Sequence, residues 1–172
     1  MTDEARDGDG TDFTALLTFL NETPNQLTNS IAGLSNAEVR FQNSSDEFSV
    51  LENICHLRDL ELQGYTPRIS RMLAESNPSL ADFDGARVAA ESSYNNEQPD
   101  LALQAFQTAR RKNVEVLRAL TEEQMKREGT LDGVGTITLR RLAEMMREHD
   151  EGHLVDLRGL RRRIERSRHS TR

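Results

Sequence analysis

The sequence predicts an all-α protein, a four-helix bundle, on three observations. Apolar residues recur at three- and four-residue spacing in four long segments, which marks one buried face of a helix in each. No segment shows the apolar-polar alternation of a half-buried strand. A polar run over residues 76–99 separates the second segment from the third, long enough to carry the chain from one end of a bundle back to the other.

Each element follows in order. Residues 1–11 are acidic and Gly-rich without periodicity, and are expected to form a disordered leader. The bundle is expected over residues 12–165, with a basic tail at 166–172. The first helix presents Phe13, Leu16, Leu17, Leu20, Leu27, Ile31 and Leu34; Pro24 removes a backbone donor within it, so a kink or short break is expected there. Ser35 to Glu38 reads as a short capped turn. Ser49-Val50-Leu51-Glu52 fits a capping box, in which serine and glutamate side chains satisfy each other's backbone amides. That second helix carries Ile54, Leu57, Glu61, Tyr65, Ile69, Met72 and Leu73 to about Ala74, with a bend expected at Gly64 to Pro67. The third starts near Pro99, a residue favoured in a first turn, and runs through Leu103, Phe106, Val114, Leu117 and Leu120. Gly129, Gly133 and Gly135 break the chain. The last helix begins around Thr138 and sets Leu142, Met145, His149, His153, Leu157, Leu160 and Ile164 on one stripe.

Composition narrows the function. The 172 residues are one domain's worth of chain, and the longest apolar runs are three residues, so no membrane-spanning helix is expected. The acidic N-terminus does not read as a secretory signal. With one cysteine there is no internal disulfide and no Cys-rich zinc site, which points to a cytoplasmic protein. The formal charge of -7 hides an asymmetry: the last fifteen residues hold seven arginines against Glu165 alone. The acidic body disfavours nucleic-acid binding, and arginines near a helix C-terminus complement the helix dipole in any case.

His149 and His153 stand one helical turn apart within an apolar stripe and therefore point the same way. His56 lies in the second turn of its own helix, near Ile54 and Leu57. Three imidazoles converging between two helices would form a metal site with a coordination position left for water or substrate, as in catalytic centres. Nitrogen ligation suits zinc, nickel, iron or copper. The other reading is that of hydrogen-bonded histidines, with Glu148, Asp150 or Asp156 as partners. Asp150 and Glu61 are candidates for orienting ligand imidazoles or handling a proton. Cys55 and His56 point about 100° apart and do not share an ion, so Cys55 and the Met145-Met146 pair read as core. His169 stands apart in the tail.

The segments Phe48-Ser49-Val50-Leu51-Glu52-Asn53-Ile54-Cys55-His56-Leu57-Arg58-Asp59-Leu60-Glu61, Tyr65-Thr66-Pro67-Arg68, Phe83-Asp84, Thr138-Leu139 and His149-Asp150-Glu151-Gly152-His153-Leu154 together resemble the DinB-like family of damage-inducible, metal-binding four-helix proteins. The resemblance covers about residues 12–164 and is most specific in His-Leu-x-Asp-x-Glu paired with His-Asp-x-x-His. It implies an up-down-down-up bundle, frequently a homodimer, with a nickel- or zinc-type ion on His56, His149 and His153. It also implies a small-molecule substrate and a low-molecular-weight thiol cosubstrate, since relatives include thiol S-transferases and a thiol-dependent isomerase. Phe48 stands where the family often has tryptophan, which keeps an aromatic anchor. A metal-binding stress-response or structural protein without turnover is the alternative.

Overall fold

The computed structural model describes residues 12–44 and 47–170; the expected leader, residues 1–11, lies outside them. Helices α1 (Phe13–Ile31), α2 (Val50–Asp59), α3 (Thr66–Ala74), α4 (Gly85–Glu91), α5 (Pro99–Arg118), α6 (Glu122–Met125) and α7 (Leu139–Ser170) alternate with three short strands, β1 (Ser79–Leu80), β2 (Glu128–Leu131) and β3 (Gly135–Thr138). A π-helical turn, Leu60–Tyr65, joins α2 to α3 into one long helix and overlaps the segment where the bend was expected. None of these helices is long and apolar enough to cross a membrane.

Side-chain contacts give the directions of the four long helices. Arg140 lies over Phe13, Arg147 over Phe19, and Arg161 donates to the Ser30 carbonyl, so α1 and α7 run parallel. Arg58 meets Glu97, Glu61 meets Arg110, and Thr66 meets Asn113, so α2–α3 and α5 also run parallel. His153 against Asn53 and His149 against His56 make α2 and α7 antiparallel. Gln107 against Thr28 and Arg110 against Leu20 do the same for α1 and α5. The bundle is therefore up-down-down-up, and the segment between α3 and α5 is the long crossover that this order requires.

The helices start where the side chains cap them. Asp12 accepts from the Thr14 amide, the Ser49/Glu52 box is complete, Pro99 opens α5, and the Thr138 hydroxyl accepts from the Arg141 amide. The break expected at Pro24 does not occur, because α1 is continuous through it. Proline leaves the carbonyl four residues back, that of Leu20, without its helical donor, and the buried Arg110 guanidinium lies 3.5 Å from that oxygen. The stripe on α7 is also shifted slightly: Met146 is fully buried and Met145 only in part. The expected tail is helical as far as Ser170, and Arg168 pairs with Glu38 across the end of α1.

The small sheet was not expected from the sequence. β1, from the crossover, pairs in parallel with β2, which forms an antiparallel hairpin with β3. Its strands are two and four residues long, too short to show an alternating pattern. Gly133 and Gly135 take positive φ in the hairpin turn, and Gly129 admits Leu80 so closely that a Cβ there would lie 2.9 Å from its methyl carbon. The crossover is held to α2 and α3 by the Tyr94 hydroxyl donating to Asp59 and by Arg68 donating to the Ala81 carbonyl.

The core has two apolar parts. One gathers Leu16, Leu20, Leu60, Met72, Val114, Leu142 and Met146 with the sheet residues Leu80, Leu131 and Ile137. The other gathers Leu27, Ile54, Cys55, Leu57, Phe106, Leu154 and Leu160. Between them every long helix contributes a polar residue: Thr23, Glu61, Arg110 and Asp150, each at most 1% exposed.

Candidate metal centre

The Ser49 cap begins α2 so that Asn53 and His56, three residues apart, share a face toward α7. His149 and His153 meet them from α7, one turn apart. The three histidines each offer a ring nitrogen within 4.8 Å of the others. Their ring centroids are 4.5 to 5.3 Å apart, and the Nε2 atoms of His56 and His149 are separated by 3.3 Å. Two nitrogens bound to one tetrahedral ion at about 2.0–2.1 Å would be roughly 3.3 Å apart, so this pair already has a ligand spacing.

Electrostatics favour neutral, ligating imidazoles. Burial, helped by the neighbouring His153, lowers the pKa of His56 to about 4. Burial, then His153, His56 and Arg110, lower that of His149 to about 3. Burial also lowers that of His153, against the pull of Asp156 and Asp150. At neutral pH all three rings keep a free lone pair. The Nδ1 atoms of His56 and His149 are buried without a hydrogen-bond partner, so hydrogen bonding within the protein leaves two of the cluster's nitrogens unsatisfied. The donor set fits a borderline transition-metal ion such as zinc or nickel.

The surroundings come from three elements. Phe48, just before the α2 cap, and Phe83, from the crossover, lie 5.6 and 6.1 Å from the His56 ring. Gly85 packs its backbone on the same ring: a Cβ there would lie 2.4 Å from the His56 Cε1. A cleft of about 480 Å³ lined by Phe48 and Asn53, with Asp156, Leu160, Arg162 and Arg163, opens beside the site. The glycine loop is not part of the site; it forms the hairpin over Leu80 and Met72.

Asp150 and Glu61 are both fully buried, but their oxygens are taken elsewhere. Arg110 donates to both carboxylates, and Asn113 donates to the second oxygen of Glu61. Burial opposes the charge on Arg110, yet Asp150 and Glu61 outweigh it and raise its pKa. The side chain that meets a ring nitrogen is Asn53, whose Oδ1 lies 2.7 Å from His153 Nδ1. Sequence reading passed over Asn53, which has no charge to draw notice. It also passed over Arg110, although an arginine midway between Phe106 and Val114 on an apolar stripe is a visible signal. Cys55 sits in the core with its thiol pushed up to about 12 by burial, and His169 is exposed near the end of α7.

Comparison with known proteins agrees with this fold. No curated protein matches the chain. Among solved structures, it is similar to YfiT from Bacillus subtilis, described as a probable metal-dependent hydrolase with an unusual four-helix bundle topology. That similarity has a TM-score of 0.83 at 20% identity and covers 93% of this chain and 92% of that one. The profile of the DinB superfamily matches residues 20–156, which span the second and third long helices in full, much of the first and last, and all three histidines of the cluster: the chain belongs to the DinB superfamily.

Proposed function

We propose that this protein is a metal-dependent enzyme that transfers a low-molecular-weight thiol to an electrophilic small molecule, with a zinc- or nickel-type ion on His56, His149 and His153. The observation that carries the reading is the convergence of three neutral imidazoles, with no fourth ligating side chain among the described residues, beside a ligand-sized cleft. A bound ion would supply Lewis acidity and lower the pKa of a thiol it coordinates, since the thiolate is the nucleophile. The chain's own residues do the rest. Phe48, Phe83 and Gly85 wall in the His56 ring, and the cleft holds the electrophile. Asp156, one turn beyond His153 on the cleft wall, is our candidate for accepting the thiol proton. The sulfur then forms the new bond to carbon, and the leaving group departs with the electron pair.

A metal-dependent hydrolase is the second reading, favoured by the likeness to YfiT. The test starts from untagged protein and a variant carrying His149→Ala and His153→Ala. Elemental analysis is expected to find about one transition-metal ion per chain in the parent and none in the variant. The parent is then offered an aryl halide with a panel of small thiols, and separately an aryl ester without thiol. Thiol-dependent loss of the halide that a chelator abolishes supports transfer, and chelator-sensitive ester cleavage without thiol supports hydrolysis instead. Metal without either activity leaves a non-catalytic metal-binding bundle.

A further inference from the structure

We propose that Asn53 is a positioning residue of the metal centre, holding His153 in the tautomer whose Nε2 lone pair faces His56 and His149. The inference rests on the three-histidine reading above, and concerns a residue that acts on the site through His153.

The argument is one of donors and acceptors. The Asn53 side chain is buried, at 2% exposure. Its Nδ2 donates to the Ser49 carbonyl at 2.9 Å. A rotated amide would set Oδ1 against that carbonyl, acceptor against acceptor, so the orientation is fixed. Oδ1 is thus the atom facing His153 Nδ1 at 2.7 Å. Because a carbonyl oxygen only accepts, Nδ1 must carry the proton, and in a neutral ring Nε2 is then the unprotonated nitrogen. The Ser49 carbonyl is itself held in place, since Ser49 is the N-cap of α2 and Glu52 accepts from its amide at 2.7 Å. A line of fixed groups runs from the capping box through Asn53 to His153. The other two rings have no partner on Nδ1; their Nε2 atoms meet each other at 3.3 Å, so without an ion one of them donates and the other accepts. His153 is therefore the ring whose tautomer is set from outside the cluster, by Asn53.

Long-range nitrogen-proton NMR on metal-free, isotope-labelled protein reads the tautomer directly. The parent is expected to show His153 protonated on Nδ1. Asn53→Leu, which removes the acceptor, is expected to shift His153 toward the Nε2-protonated form and to weaken zinc binding about 10- to 100-fold in a chelator competition. Asn53→Asp keeps an acceptor for His153 but loses the donor to the Ser49 carbonyl, so it is expected to restore the parent tautomer and most of the affinity at a lower denaturation midpoint. A parent His153 protonated on Nε2 overturns the proposal, as does a folded Asn53→Leu with parental tautomer and affinity. Should Asn53→Leu fail to fold, the parent spectrum and Asn53→Asp still decide. A parent that binds no metal defeats the proposed function, while the tautomer remains a separate result.

Discussion

At the scale of single residues, the convergence of the three histidines was legible and what surrounds them was not. A histidine pair at helical spacing within an apolar stripe announces itself, and so does His56 beside Ile54. The roles of Asp150, Glu61 and Asn53 depend on which partner each side chain reaches across the bundle, and spacing along one helix does not carry that. Acidic residues near histidines suggested orienting groups, yet Arg110 takes both carboxylates. The depressed histidines have a consequence for stability. In the unfolded chain these rings titrate near 6.5, whereas the folded, metal-free protein keeps His56 neutral down to about 4 and His149 to about 3. Below 6.5 the unfolded state therefore binds more protons, and stability falls as the pH drops from about 6.5 toward 4. Urea midpoints of chelator-treated protein at pH 7.5 and 5 should show this fall. In a variant with His56 and His149 both changed to Gln the fall should shrink; an undiminished fall would place its origin in other groups.

At the scale of elements, whatever is written in local chemistry could be read. The Ser49 box and Pro99 at a first turn appear where the sequence puts them, and the helix is irregular, as a π-helical turn, just before Pro67. Pro24 misled because the remedy for its missing amide comes from Arg110, on a helix far along the chain. The sheet was hidden because β1 spans two residues and its partner strand lies some fifty positions later. Ser49→Ala removes one half of the capping box and is expected to lower stability by about 1 kcal/mol. The denaturation midpoint should fall with little change in the slope, since the loss is confined to one helix end.

At the scale of the whole molecule, the long crossover was legible and the stratification of the core was not. Apolar stripes were visible on each helix, but a stripe does not say that its middle residue faces three polar ones. Glu61, Arg110 and Asp150 form a charged layer, with Thr23 at the same level, between two apolar parts. Breaking a buried ion pair leaves charge uncompensated, at a cost of about 3–5 kcal/mol. Arg110→Ala should therefore destabilise strongly, whereas replacing Arg110, Glu61 and Asp150 together by apolar residues of similar volume should cost much less. Urea unfolding of both variants decides it, and equal losses would mean that the layer contributes through packing alone.

The position of the histidines along the chain has one more consequence. His56 and His149 face each other across 93 residues of sequence, and the sole cysteine leaves no internal disulfide to close so wide a loop. An ion held by both rings would tie the second helix to the last as a cross-link, removing loop-closure entropy from the unfolded chain as a disulfide of that span does. Unlike a disulfide, this link would be indifferent to reductants and would open to a chelator.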